Sequence, residues 1–352
     1  MTTRMLVTGG AGFIGSNFVR SVLDARRDVD ITNLDVLTYS GNLENLAGLE
    51  KNPRYRFVKG DILDRELLNA LLNDIDIVIH MAAESHVDRS IMDSAPFVRT
   101  NVLGTQNLLD AARVSHAGKG VSRFVHVSTD EVYGSLPLER PDLKFTEDTP
   151  IQANSPYAAS KAASDLLVRA AFHTFHMPVL TTRCSNNFGA YQFPEKVIPL
   201  FVTNLIEGRK VPLYGDGKNV RDWLHVLDHC EAILTVAEKG RAGEVYNIGG
   251  NNEWSNLELT HAILGIMGKG KDMIQPVEDR KGHDRRYAID ASKIERELGW
   301  RPTRSAWPGA LEETVKWYVE NPEWWKRVKS GAYREYYERQ YAGRERAGGS
   351  PG

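Results

Sequence analysis

Short apolar runs alternate with longer amphipathic stretches through the first half of the chain. The segments 4–8, 30–34, 54–58, 75–79, 123–127 and 179–183 each read as a short strand. Between them, 16–25, 100–112 and 162–175 carry the spacing and the Ala/Leu content of helices, and Pro156 suits the first turn of the last one. Strands alternating with helices predict an α/β protein with a doubly wound parallel sheet of the Rossmann type. Past Arg183 the rhythm breaks. The stretches 184–196, 212–217 and 221–223 are rich in polar and turn-forming residues and are expected to be specificity loops. A last strand at 244–248 is expected to return to the sheet, and helices are predicted over 257–267 and 309–320. Leu311, Val315 and Tyr318 form one stripe of that second helix, which stops at Asn321-Pro322. The predicted organisation is a cofactor domain over 1–183 to which 224–250 returns, a smaller C-terminal substrate-binding lobe from 184–223 and 251–330, and a charged, Gly-rich, disordered tail over 338–352.

Composition narrows the function by exclusion. With 44 Lys and Arg against 46 Asp and Glu, the net charge is −2 and no basic face is set aside for nucleic acid or an anionic membrane. Two cysteines make no disulfide framework, and no apolar segment is long enough to span a bilayer. The first strand begins by Met5, which leaves no room for a signal peptide, so a cytoplasmic location is expected. No His-x-x-x-His or His/Cys cluster points to a metal.

The first strand runs into Gly9-Gly-Ala-Gly12-Phe-Ile-Gly15 and then a helix. Small residues let the backbone turn tightly against a pyrophosphate, whose charge the helix N-terminus favours. The second strand ends on Asp35, 20 residues after Gly15, where a carboxylate accepts from ribose hydroxyls and repels a 2′-phosphate, so NAD is expected rather than NADP. Asp61 and Ile62 follow the third strand as an adenine-contacting turn. Ala82 and Ala83 are small enough to let the chain lie against a cofactor. His86 and Asp88 form a loop pair that reads either as structure or as an acid and a base.

The fifth strand hands over to Thr129-Asp130-Glu131, two carboxylates at the sheet edge where open α/β sheets bind ligands. Tyr-x-x-x-Lys occurs three times. Tyr55 and Lys59 fall in a strand, Tyr214 and Lys218 flank a turn, and only Tyr157 and Lys161 share a helical face. Several cations crowd into 279–287, where arginine forks can grip a diphosphate.

The chain resembles the extended short-chain dehydrogenase/reductases and, among them, the dTDP-glucose 4,6-dehydratases. The resemblance runs from about residue 4 to 325 through Thr8-Gly-Gly-Ala-Gly-Phe-Ile-Gly15, Leu37-Thr-Tyr-Ser-Gly-Asn42, Ala82-Ala-Glu-Ser-His-Val-Asp-Arg-Ser90, Ser128-Thr-Asp-Glu-Val-Tyr-Gly134, Tyr157-Ala-Ala-Ser-Lys161, Asn186-Asn-Phe-Gly189 and Pro194-Glu-Lys196. The Thr-Asp-Glu triplet is its specific part, since related epimerases usually carry Ser or Thr where Asp130 stands. Phe188 and Ala190 depart from the family pattern of Tyr and Pro, in what is expected to be a substrate loop.

The resemblance implies hydride abstraction from C4 of a nucleotide-linked glucose, loss of water across C5 and C6, and return of the hydride to C6, with NAD held throughout. It implies Tyr157 as the base for the C4 hydroxyl, Thr129 on the C4 oxygen, Glu131 as base at C5 and Asp130 as acid at C6. Lys161 would hold the nicotinamide ribose. A working Tyr157 phenolate needs its pKa lowered from about 10; a three-unit shift is about 4 kcal/mol, expected from Lys161 and the nicotinamide charge. The implied cofactor set is Gly9, Gly12, Phe13, Ile14, Gly15, Asp35, Leu37, Thr38, Asp61, Ile62, Ala82, Ala83, Ser85, Thr100, Tyr157, Lys161 and Asn187. The implied nucleotide-sugar set is Ser85, Thr129, Asn186, Glu195, Lys196, Pro212, Tyr214, Arg221, Asn256, Arg280, His283 and Tyr287. A homodimer through the helices near Thr100 and Tyr157 is implied as well. A 4-epimerase, or a dehydratase for another nucleotide sugar, stays open on the residues alone.

Overall fold

The computed structural model describes residues 2–280 and 282–330, so the tail predicted over 338–352 lies outside the described residues. Six strands of the first half, β1 (Thr3–Thr8), β2 (Val29–Asp35), β3 (Tyr55–Lys59), β4 (Ile77–His80), β5 (Arg123–Thr129) and β6 (Val179–Cys184), form one sheet. It is joined by β10 (Val245–Ile248). The order is β10-β6-β5-β4-β1-β2-β3, with every neighbouring pair parallel. The chain reverses direction across the sheet between β1 and β4, which opens a crevice at their carboxyl ends.

Period-two alternation distributes each strand between two cores. Met5 and Val7 of β1 pack with Phe18, Val22 and Ile233 on one face, and Leu6 packs with Leu108, Val168 and Ala171 on the other. The first face is covered by the helices Phe13–Ala25 and Val226–Lys239, the second by Arg65–Leu72, Thr105–Gly118 and Pro156–Phe175. The helix expected to begin at Thr100 already turns at Ala95 and passes through a π-helical stretch, Val98–Gly104. That wider turn carries Asn101, whose side chain accepts from the Glu84 amide at 2.8 Å and donates to the Glu84 carbonyl at 2.9 Å and to Ser160 Oγ at 2.8 Å.

The residues after Cys184 are more regular than their composition suggests. β7 (Asn186–Phe188), β9 (Val220–His225) and β11 (Glu253–Ser255) make a small sheet, and β8 (Val211–Tyr214) pairs with β12 (Ile274–Val277). The helices Val197–Ile206, Asn256–Ile266 and Gly309–Glu320 pack on a third core built from Phe201, Trp223, Ile263, Leu311, Tyr318 and Trp325. Strands three to six residues long with mixed polarity give no clean period, which is why 221–223 read as loop. Among the described residues no helix is long and apolar enough to cross a membrane.

Candidate functional site

The glycines after β1 are demanded by contact as well as by conformation. Gly9 has φ 76°, and a Cβ there would stand 2.8 Å from the Ala82 backbone; one on Gly15 would stand 2.2 Å from the Gly9 carbonyl oxygen. The helix that follows starts after Gly12 without a side-chain cap, so its first amides remain available to an anion. Asp35 lines the same cavity. Its carboxylate accepts from the Ala11 amide at 2.9 Å and the Leu37 amide at 2.8 Å, and burial raises its pKa against those two donors. A close-approach glycine loop, an uncapped helix N-terminus and a buried acid at the end of β2 together fit a dinucleotide.

This cavity, about 320 Å³, contains every cofactor candidate except Leu37. Leu37 does not line it: its side chain packs against the core beside the sheet, and its amide donates to Asp35 Oδ1. A second compartment of about 160 Å³ is lined by Pro212, Tyr214, Arg221, Asn256, Arg280, His283 and Tyr287. Glu131, Asn186, Glu195 and Lys196 line both, so the two compartments meet there. Ser85 and Thr129, expected on the substrate, line the first.

The chemistry-bearing residues stand where β5 ends. Thr129 Oγ1 caps the short turn Asp130–Tyr133 by accepting from the Glu131 amide at 3.3 Å, and it donates to Asp130 Oδ1 at 3.4 Å. Ser155 caps the facing helix from the Ala158 amide at 3.1 Å, with Pro156 in the first turn, and the helix brings Tyr157 and Lys161 to the cavity wall. Tyr157 hydrogen bonds to Thr129.

Asp130 is 2% exposed, and its Oδ2 has no hydrogen-bond partner among the described residues. Burial, then the charges of Glu131 and Asp222, push its pKa well above the carboxylate range, which favours its protonated form. Burial also raises Glu131, but Arg280, Lys196 and Arg221 pull it back. Two adjacent acids are thus driven apart in proton affinity.

Tyr157 runs against the expectation from sequence. Burial, Glu131 and Cys184 push its hydroxyl above the usual tyrosine range, while the Lys161 ammonium donates to the Val127 carbonyl at 2.9 Å and burial lowers it to about 8. The chain's own groups therefore do not make a phenolate.

In the second compartment Arg221 lies over the Tyr287 ring at 4.2 Å and donates to the Asp284 carbonyl at 2.9 Å. Tyr287 in turn donates to Asp284 Oδ2 at 2.5 Å. Burial, Arg280 and Arg221 lower His283 to about 3, so the ring is neutral beside Asp279 at 2.6 Å. The cations of 279–287 divide by role. Arg280 faces the compartment, Arg285 pairs with Asp216 on the surface, and Arg286 anchors the chain to Glu253 and to the carbonyls of Arg140, Pro141 and Leu143. His86 lines the second compartment; its Nδ1 accepts from the Arg89 amide at 3.4 Å as a helix cap, and burial favours its neutral form.

The departures at 188 and 190 fall elsewhere than expected. Phe188 is fully buried among His225, Trp307 and Trp223, with ring centroids 5.3, 5.6 and 6.4 Å away, and lines neither compartment. The Ala190 carbonyl accepts from Asn17 at 3.1 Å. Sequence reasoning assigned no role to Tyr39, Glu84, Cys184 or Phe193, which also line the first cavity, because no local spacing links them.

Comparison with known proteins agrees with this geometry. The family model described as GDP-mannose 4,6 dehydratase matches residues 6–310. A dTDP-glucose 4,6-dehydratase of Streptomyces niveus is 53% identical, over 93% of this chain and 96% of its own. One from Escherichia coli is 47% identical, over 97% of this chain and 100% of its own. A solved dTDP-glucose 4,6-dehydratase of Streptomyces venezuelae, with NAD and TYD bound, superposes with a TM-score of 0.88 at 53% identity, covering 93% of this chain and 100% of that one.

Proposed function

The chain belongs to the dTDP-glucose 4,6-dehydratase family, and from that premise we propose that it converts dTDP-glucose to dTDP-4-keto-6-deoxyglucose and water, using NAD, in deoxysugar biosynthesis. The observation that carries this reading is the pairing of a buried Asp130 of raised proton affinity, in the first compartment with Tyr157, and a cation-flanked Glu131 that lines both compartments.

Glycines 9, 12 and 15 and the uncapped helix would hold the NAD pyrophosphate, and Asp35 the adenosine ribose. When bound, NAD supplies the acceptor for the C4 hydride and gives the same pair back at C6. The chain's own groups move protons. Oxidation has to come first, because a C5 hydrogen becomes acidic only beside a C4 ketone. Tyr157, bonded through Thr129, takes the C4 hydroxyl proton; burial works against its phenolate, and a positive charge brought by the cofactor has the sign needed to offset that. Glu131 removes the C5 proton. Asp130 gives its proton to the C6 oxygen, which leaves as water. Arg221 and Arg280 grip the diphosphate from the wall of the second compartment.

The two helices expected at a dimer interface carry exposed apolar side chains: Val98, Leu103 and Val114 on one, Leu166 and Phe175 on the other, between 49% and 56% exposed. This supports a homodimer through that face. A cytoplasmic location belongs to the same reading; among the described residues no helix is long and apolar enough to cross a membrane.

The test is to offer purified protein dTDP-, UDP- and GDP-glucose and to follow the 4-keto-6-deoxy product by mass. Deuterium placed at C4 is expected at C6 with dTDP-glucose as the preferred substrate. Deuterium lost to solvent, or reduced cofactor released in proportion to product, would overturn the internal hydride return.

A further inference from the structure

The roof of the cofactor cavity is a loop, residues 36–41, that leaves β2 directly after Asp35. Its first turn is strained: Leu37 has φ 58°, a region a γ-branched residue seldom enters, and it is held there by the bond from its amide to Asp35 Oδ1. The same carboxylate grips the glycine loop through Ala11, so one acid ties floor and roof together on the adenosine side. At its other end the roof carries Tyr39, and there a second set of contacts gathers from three distant parts of the chain. The Tyr39 hydroxyl donates to Glu84, its ring meets Phe193 edge-on at 5.7 Å, and the Arg89 guanidinium lies over its face at 3.9 Å. Arg89 then spends Nε and Nη2 on Glu195 Oε2, at 3.1 and 2.9 Å.

This cluster spans the cavity's edge. Tyr39 comes from the strand side, Arg89 from the helix Val87–Met92, and Phe193 and Glu195 from the segment that also walls the second compartment. Arg89 itself lines neither compartment. A planar cation stacked on one partner and forked onto another holds both in fixed orientation, which an ammonium cannot do. Removing it leaves the Glu195 side chain, 4% exposed, as a buried charge without its guanidinium.

We propose that Arg89 is the pin of a latch that fastens the 36–41 roof to the 193–196 segment, and that this latch is what keeps the dinucleotide in its cavity from one turnover to the next. It rests on the reading of that cavity as an NAD site. Arg89 is a positioning residue, acting through Tyr39 and Glu195. A reaction that borrows and returns a hydride has no need to exchange its cofactor, so a roof pinned from both sides suits it.

The test is cofactor exchange, with no substrate present. Full-length protein loaded with NAD is chased with excess isotopically labelled NAD, and the bound fraction is read by mass spectrometry over time. Arg89→Met, which keeps the apolar stem, is expected to exchange at least about tenfold faster than wild type, the change that ~1.4 kcal/mol produces. Tyr39→Phe keeps the ring and loses only the Glu84 bond, so it is expected to fall between them, as is Arg89→Lys. Arg26→Ala, which breaks an exposed pair with Glu238 far from the roof, is expected to exchange like wild type. Exchange at the wild-type rate in folded Arg89→Met overturns the latch. Should Arg89→Met fail to fold, wild-type rates in both Arg89→Lys and Tyr39→Phe overturn it equally. A wild-type protein that retains no NAD at all sinks the functional reading instead, and the two failures are thereby distinguished.

Discussion

Replacing Asp130 with Asn tests the division of labour between the paired acids. The substitution keeps the volume of a side chain that is 2% exposed and leaves an oxygen to accept from Thr129 Oγ1, now at 3.4 Å. What it removes is the acidic proton, whose affinity burial, Glu131 and Asp222 raise. A positioned general acid is worth about 10² to 10⁴ in rate, or about 3–5 kcal/mol of barrier. The loss is expected in dehydration alone, since C4 oxidation depends on Tyr157 and Thr129. Mixing enzyme with dTDP-glucose in a stopped-flow cell should show reduced nicotinamide appear at about the wild-type rate and then persist, while 4-keto-6-deoxy product forms at least a hundredfold more slowly. The pH profile adds a sign. Asp130 must be protonated, so wild-type dehydration falls as pH rises through its elevated pKa; Glu131 must be ionised, so the rate falls as pH drops through its own raised pKa. The variant should keep the acid limb and lose the part of the alkaline limb that Asp130 contributes. Wild-type product formation in Asp130→Asn, or equal slowing of both steps, refutes the assignment.

Beneath the site, Asp165 accepts from Arg183 at 2.8 Å and stands 3.2 Å from His126; burial opposes its charge, but His126 and Arg183 carry its pKa down to about 2. A folded pKa about two units below the unfolded 3.8 contributes about 2 kcal/mol that is present above pH 3.8 and lost as pH falls toward 2, and Asp165→Asn should cost about 3–5 kcal/mol in denaturant melts at pH 7, because it strands the guanidinium. Phe188→Tyr should leave the kcat/KM ratio between dTDP- and UDP-glucose unchanged, since the ring is walled off from both compartments; a shift in that ratio would place it in the specificity loop after all. Leu103→Asp with Leu166→Asp should convert a dimer to monomers in sedimentation velocity, and a sedimentation coefficient matching wild type counts against that face.

The parallel sheet, its glycine turn and Asp35 were legible along the chain because they depend on neighbours: a period of two, a helix start, and five small residues in a row of seven. The Thr129-Asp130-Glu131 triplet and the Tyr157, Lys161 pair were legible for the same reason. The C-terminal lobe was harder, since short strands such as β7 and β11 obtain their pairing from partners far along the chain rather than from their own pattern. The position of Phe188 followed that lobe: residue type alone did not distinguish a substrate loop from an aromatic core of two tryptophans and a histidine.

What the sequence determined by itself is therefore which groups exist and which of them share a turn or a helical face. Tertiary structure decided what those groups do to one another. Proton affinities depend on burial and on charges from other segments, so no spacing along the chain could show that the proton affinity of Asp130 is raised while Glu131 is drawn back by Arg280, Lys196 and Arg221, or that Lys161 turns to a carbonyl instead of easing Tyr157. The contact between Arg89 and Glu195, 106 residues apart, is of the same kind: it exists only because the fold brings both ends to one edge of one cavity.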